Sequence, residues 1–145
     1  MLAGKYWLNS GMKKLFLLLA LMPLLAGCIA RERSFEQFYK GDPASVTYLI
    51  MQDGSTGEMR KVTDEKAIDA FFDMMYTLKF AMQKNQMPRA DYAYQVDVYN
   101  NDGRIMRLTF TPDTARVNNV YYFLDLNVRK ELEQIYASGT ETRSN

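Results

Sequence analysis

Two segments in the second half of the chain alternate regularly between apolar and polar residues. The apolar positions of each segment share one face: Tyr92, Tyr94, Val96 and Val98 in the first, and Met106, Leu108 and Phe110 in the second. Such a period of two predicts two β-strands, each with one buried side. Asn100, Asn101, Asp102 and Gly103 separate them and form a strong turn sequence, so the two strands are predicted to pair as a hairpin.

The register of this hairpin follows from its pattern. The two apolar faces coincide only if Val98 lies opposite Met106, because a shift by one residue would turn every side chain to the other face. The same register places Asp97 opposite Arg107, an opposite-charge pair on the outer side of the sheet. It also predicts a three-residue loop that ends at Gly103, with Gly103 at a positive φ.

Two other segments carry apolar residues at helical spacing. The first helix is predicted from Asp64 to about Met82, and Thr63 is a suitable cap before it. The second helix is predicted to start from a cap at Asp125 or Asn127 and to end at Gly139. The apolar stripes are Ile68, Phe71, Phe72, Met75 and Leu78 in the first helix and Val128, Leu132, Ile135 and Tyr136 in the second.

The remaining segments rich in β-formers complete the predicted fold. Strands are expected at 45–52, 58–62 and 116–124, although the register of the first hairpin stays open. The expected fold class is α+β, with an antiparallel sheet of about five strands in the order β-β-α-β-β-β-α and two helices packed on one face. This single domain should cover 44–138, followed by a disordered tail at 139–145.

The start of the chain has the features of an export signal. The cationic residues of 12–14 precede an uncharged apolar run, 15–25, whose eleven residues would rise only about 16 Å as a helix, roughly half of a bilayer core. Leu25-Ala26-Gly27-Cys28 follows and looks like the lipobox of bacterial lipoproteins. We therefore expect cleavage between Gly27 and Cys28 and diacylglycerol on the thiol. The alternative is an ordinary secretory signal in which Cys28 is incidental.

This interpretation divides the chain into a leader and a mature part. Residues 1–27 form the signal peptide, and 1–11 are either a misannotated start before Met12 or a longer cationic region. Residues 28–43 are the lipidated cysteine and its tether. The chain should be held by lipid on the extracytoplasmic side of the cell membrane, which is its expected membrane partner. Cys28 is the only cysteine, so no internal disulfide is expected.

Charge and residue types limit the chemistry. The 18 basic and 17 acidic residues are interleaved, which argues against nucleic acid as a partner. There is no histidine, so the commonest general base and metal ligand are missing, and no catalytic residue, metal site or cofactor is predicted. The acidic pair Asp69 and Asp73 is interpreted as a solvated helix face, and the turn 53–57 as a hairpin rather than a calcium loop. Met75 and Met106 are assigned to the core rather than to copper.

Tyrosines provide the candidate binding surface. Alternation predicts that Tyr99 and one of Tyr121 or Tyr122 show a face to solvent or to a neighbouring strand, and exposed tyrosines often mark binding surfaces. The alternative is an edge strand with solvated tyrosines.

The order of these motifs resembles a family of small uncharacterised lipoproteins of Gram-positive bacteria. The resemblance covers about 43–136. It rests on the turn 53–57, on Val62-Thr63-Asp64 opening a helix, on the alternating strand 92–99 with its Asn-Asp-Gly turn, and on the late tyrosine-containing strand and closing helix. It implies a location and a fold, and it implies no catalytic residues.

The expected function is therefore that of a binding or interaction module held at the membrane, with an envelope protein, a peptide or an envelope polymer as partner. One alternative is an envelope hydrolase that uses carboxylates. The other is an inhibitor or sensor of a secreted factor.

Overall fold

The structure, a computed structural model, describes residues 31–142, in which nine strands form one antiparallel sheet. The strands are β1 (Glu32–Ser34), β2 (Tyr48–Asp53), β3 (Met59–Val62), β4 (Lys79–Met82), β5 (Tyr94–Asn100), β6 (Gly103–Phe110), β7 (Thr114–Val117), β8 (Val120–Leu124) and β9 (Thr140–Glu141). The helices in this part of the chain are α1 (Glu65–Thr77) and α2 (Arg129–Ala137). The strand order across the sheet is β1-β4-β8-β7-β6-β5-β2-β3-β9.

The structure is an α+β fold, but the expected sheet of about five strands is wrong, because the sheet has nine. The chain order is correspondingly β-β-β-α-β-β-β-β-β-α-β rather than β-β-α-β-β-β-α. Three short edge or near-edge strands, β1, β4 and β9, were not predicted. The predicted strand at 116–124 is two strands, β7 and β8.

The first helix ends earlier than its apolar stripe predicts. Asp64 caps it, since its side chain accepts a hydrogen bond from the backbone N of Ala67 at 3.0 Å. The helix ends at Thr77 rather than near Met82. The following residues instead form β4, in which Phe80 lies opposite Leu124 of β8. The pairing with a distant strand therefore outweighs the local helical pattern.

A tight turn divides the predicted strand 116–124. Asn118 and Asn119 have φ of 51° and 65° and connect β7 to β8 as a two-residue hairpin loop. Positive φ at both central positions is the geometry of a type I′ turn, which asparagine tolerates well. Two adjacent asparagines within an apolar stretch are thus a turn signal that the strand prediction overlooked.

The predicted register of the central hairpin is confirmed. Val98 lies opposite Met106 and Asp97 opposite Arg107, and Gly103 has a φ of 132°. The loop differs, because a register shift after Val98 brings Asn100 opposite Gly103. A β-bulge therefore absorbs the extra residue that the prediction placed in a three-residue loop.

The two helices pack on one side of the sheet, here called the inner face. Alternate strand residues such as Leu49, Val96 and Leu108 are fully buried and belong to the same core cluster as Phe71 and Leu132 of the helices. The opposite side, here called the outer face, has no helix over it among the described residues.

The folded region extends beyond the predicted domain 44–138 at both ends. Phe35, expected in the tether, is fully buried and packs against Tyr39, Phe72 and Tyr76. At the other end, β9, expected in the tail 139–145, pairs with β3. Within residues 31–142, no helix is long and apolar enough to cross a membrane. The predicted cleavage and lipidation residues, Gly27 and Cys28, lie outside the described residues.

Candidate functional site

The outer face carries polar and charged side chains in rows across the strands. Because side chains alternate, the residues between the core positions of β5, β6 and β7 all point outward. Asp97 lies opposite Arg107 on β6, Thr109 lies opposite Arg116 on β7, and Arg116 lies opposite Tyr121 on β8. The sheet thus brings arginines from separate strands side by side.

Asp97 is the central carboxylate of this surface. Its side chain is only 7% exposed, and both of its oxygens accept hydrogen bonds from Arg107, at 2.6 and 2.7 Å. Arg104 approaches the same carboxylate at 3.6 Å. The hydrogen bonds that Arg107 donates to Asp97 raise the pKa of Arg107 above its ordinary value. Two arginines thus share one buried carboxylate, so the three side chains together carry one net positive charge. The side chains of Arg104 and Arg107 remain 45% and 48% exposed.

Arg116 has unused hydrogen-bonding capacity. One of its terminal nitrogens donates to Oδ1 of Asn119 at 2.6 Å, and its guanidinium carbon lies 5.6 Å from the ring centre of Tyr121. Its Nε is buried and has no hydrogen-bond partner among the described residues. A buried donor without a partner costs free energy, so this arginine is held in place but is not fully satisfied.

The loop 83–91 folds over the outer face beside Arg116. The side chain of Gln86 forms the two hydrogen bonds that a neighbouring strand would form with Tyr121. It donates to the backbone O of Tyr121 at 3.0 Å and accepts from the backbone N of Tyr121 at 2.8 Å. The backbone N of Arg89 donates to the hydroxyl of Tyr121 at 3.0 Å, and its guanidinium donates to Oε1 of Gln83 at 3.2 Å. Gln83 is 3% exposed, and its Nε2 has no partner within residues 31–142. The loop therefore forms one side of the space beside Arg116, and the Nε2 of Gln83 within it is a buried donor without a partner in the described chain.

Together these side chains line a cleft, here called the arginine cleft, defined by Arg89, Arg104, Arg107 and Arg116. Its wider part holds about 440 Å³ beside Arg104 and Arg107, and its narrower part about 130 Å³ beside the loop. Thr109 and Arg116 line both parts, so the two adjoin. Among the lining residues and their ion-pair partners in the described chain, the acids are Asp91 and Asp97. The cleft is therefore cationic, and guanidinium groups match the planar oxygens of carboxylates and phosphates.

The three tyrosines of the predicted binding surface lie in different surroundings. Tyr99 is half-buried on the outer face and stacks on Tyr48, with ring centres 4.7 Å apart. Tyr121 is also on the outer face but is 8% exposed beneath the loop 83–91, where it lines the narrow part of the cleft. Tyr122 is 2% exposed and belongs to the core. Of these two residues, Tyr121 is thus the one on the outer face, where the loop 83–91 covers it, whereas Tyr122 points into the core.

A second cleft, of about 290 Å³, adjoins the narrow part of the arginine cleft, since Asp91, Tyr92 and Thr111 line both, and it also contains Asp53 and Arg129. Asp53 is committed to its own turn, where Oδ1 accepts hydrogen bonds from the backbone N and the hydroxyl of Ser55 at 2.7 and 2.6 Å. The hydroxyl bond from Ser55 lowers the pKa of Asp53. A general acid needs a raised pKa, so this carboxylate is poorly suited to acid catalysis.

The other candidates from the sequence do not converge. Asp69 and Asp73 are exposed on α1, away from the core side of that helix. Within the described chain, no three carboxylate, cysteine or histidine side chains are close enough together to hold a metal ion. Met75 is fully buried and Met106 nearly so, both inside the core cluster.

Sequence reasoning found only part of the arginine cleft. It placed Arg107 on the outer side opposite Asp97, but it did not single out Arg89, Arg104 or Arg116. Had the turn at Asn118 and Asn119 been predicted, Arg116 would have been placed opposite Tyr121. The predicted outer face would then have contained two neighbouring arginines, Arg107 and Arg116.

Comparisons with protein-family models, with curated proteins and with solved structures found no significant match to this chain.

Proposed function

We propose that this chain is a lipid-anchored binding module on the extracytoplasmic side of the cell membrane, which holds an anionic ligand in the arginine cleft. Lipid on Cys28 supplies the attachment, and the ligand is an envelope polymer or an envelope protein segment that carries phosphate or carboxylate groups. The observation that carries the proposal is the cluster of four arginines on a sheet face that no helix covers within residues 31–142.

The hydrogen-bonding state of the cleft supports an anionic ligand. The Nε of Arg116, which lines both parts of the cleft, is a buried donor without a partner in the described chain. An oxygen-rich ligand supplies acceptors that the protein itself does not provide. Hydrogen bonds to charged groups contribute about 1.5–3 kcal/mol each, so one well-placed contact to Arg116 corresponds to a tenfold or greater change in affinity.

The geometry supports binding better than hydrolysis. A hydrolase that uses carboxylates needs two acids that converge across a cleft, one of them with a raised pKa. Asp53, an acid of the second cleft, has a lowered pKa because Ser55 donates to it. Asp97 of the arginine cleft is neutralised by a two-bond contact with Arg107.

The anchor is tested by metabolic labelling with a fatty acid and by detergent phase partition of the full chain. Wild type should carry label and enter the detergent phase. Cys28→Ser should lose both properties, because a hydroxyl does not replace the thiol in lipid transfer. Equal partition of mutant and wild type would show that the anchor assignment is wrong.

The cleft is tested by titrating the purified protein with two defined probes, inorganic polyphosphate and poly-L-glutamate. Binding of at least one probe at low ionic strength is expected, and it should weaken as salt is raised. Arg116→Gln should weaken binding about tenfold. The matched control is Lys130→Gln, which removes an exposed cation on α2 that lines neither cleft. Absence of binding to both probes, or equal losses in the two variants, would contradict the proposal.

A further inference from the structure

The pairing of β1 with β4 brings two distant parts of the sequence together at one end of the sheet. Glu32 lies opposite Ala81, and the strands are antiparallel, so Arg31 lies beside Met82. The chain from β4 continues into the loop 83–91 at the same end. We call the exposed residues along this edge the anchor edge; they are Arg31, Met82, Lys84 and Met87 at this end, and Arg33 two residues further along the edge strand, opposite Phe80.

Met87 belongs to this end because of the contacts of the residue before it. Gln86 is bonded to both backbone groups of Tyr121, and the next residue, Tyr122, lies opposite Met82. Met87 is 71% exposed and Met82 is 46% exposed, which makes them two of the most exposed large apolar side chains of the described region.

The predicted lipidation residue is close to this edge along the sequence. Cys28 precedes Arg31 by three residues, and an extended chain spans about 3.3–3.6 Å per residue. The thiol therefore lies within about 10 Å of chain length from Arg31. With so short a connection, the domain cannot stand away from the surface in which the lipid is inserted.

The composition of the edge suits the surface of a bilayer. Arg31, Arg33 and Lys84 are exposed cations, and anionic headgroups attract basic residues at about 1 kcal/mol each, or roughly fivefold in affinity. The nearest acid on β1, Glu32, lies 3.9 Å from Lys79 and is thereby compensated. Methionine side chains are flexible and apolar, so they enter the headgroup region readily.

We propose that the anchor edge is a membrane-docking surface for anionic phospholipid. The lipidated protein lies with Arg31, Arg33 and Lys84 among the headgroups and with Met82 and Met87 at their boundary with the acyl chains. This inference rests on the lipid anchor of the proposed function, and it adds a fixed orientation. The opposite end of β8, which leads to Leu126, then points away from the bilayer.

A tryptophan reporter tests this orientation. Cleavage before Cys28 would remove Trp7, which is the only tryptophan of the chain. A single introduced tryptophan is therefore the only one in the lipidated protein. The test variant is Met87→Trp. The matched control is Leu126→Trp, at a position that is 53% exposed at the opposite end of the sheet. Both are reconstituted through the lipid into vesicles of phosphatidylglycerol and phosphatidylcholine that contain brominated acyl chains.

The expected result is blue-shifted and quenched tryptophan fluorescence in the Met87→Trp variant, and unshifted and unquenched fluorescence in the Leu126→Trp variant. Replacing Arg31, Arg33 and Lys84 by Gln in the Met87→Trp background should reduce the quenching, whereas Lys130→Gln on α2 in the same background should leave it unchanged. Equal quenching in the two tryptophan variants, or none in either when the protein floats with the vesicles, would overturn the docking surface and leave the anchor intact. Protein that does not float would overturn the anchor, and the docking proposal with it.

Discussion

The two faces of the nine-stranded sheet are built from the same strands, yet they serve different purposes. On the inner face, Phe80, Leu108 and Phe110 are fully buried beneath the helices and the segment around Phe35. On the outer face, the neighbouring positions carry Arg107 and Arg116, with side chains that keep water contact or unpaired donors. Alternation by one residue separates a packed core from a cationic surface.

This difference shows where stability and binding reside. Buried apolar area stabilises the domain roughly in proportion to the area removed from water. The outer face buries little apolar area, and it retains polar groups that cost free energy when they are unpaired. Such groups are common where a protein binds something, because binding sites are optimised for the ligand rather than for stability.

The largest expected difference between the faces is in the loss of an aromatic side chain. Phe35→Ala should lower the free energy of unfolding by about 3–5 kcal/mol, because it leaves a cavity among buried rings. Phe123→Ala, on the outer face at 52% exposure, should cost less than about 1 kcal/mol. Urea denaturation of both variants measures the two values. Similar costs would mean that the segment before β2 is not part of the core.

Within the outer face, the two arginines beside Asp97 should differ in a second, smaller comparison. Arg107→Ala removes both hydrogen bonds to a nearly buried carboxylate and should cost about 1–2 kcal/mol, a modest value because Arg107 is half exposed and Arg104 stays nearby. Arg104→Ala, with a similar exposure and a 3.6 Å approach, should cost less than about 0.5 kcal/mol. A larger loss for Arg104→Ala in the same urea assay would reverse the assignment of the two roles.

The inner face was more predictable than the outer face for a physical reason. Val98 and Met106 could be paired from the sequence because apolar alternation fixes which side is buried. β1 and β4 could not be predicted in this way, since their few residues acquire strand structure only by pairing with each other and with β8. The arginine cleft depends on those pairings and on the loop 83–91, so its members are scattered in sequence and share no local signal.

At Arg116, a single substitution should affect stability and ligand binding differently. Arg116→Met keeps an unbranched side chain as far as the position of Nε and replaces this buried donor, which has no partner in the described region, by a methyl group. Stability in urea should stay the same or rise by up to about 1 kcal/mol. Binding of polyphosphate or poly-L-glutamate should fall at the same time. A destabilisation above about 1 kcal/mol would show that Arg116 is mainly a structural residue.

The smallest expected effect is a pH dependence that belongs to the inner face. Tyr94 is 7% exposed and packs 5.4 Å from the ring of Tyr136, and burial raises the pKa of its phenol above the ordinary value near 10.0. The folded state therefore holds this proton more tightly than the unfolded state does. The associated stability is fully present below the ordinary pKa and is lost as the pH rises through the raised one. Thermal melts between about pH 8 and 11 should show a loss that Tyr94→Phe reduces by at most about 1 kcal/mol. An alkaline loss of the same size in Tyr94→Phe and in wild type would show that the buried phenol of Tyr94 is not its cause.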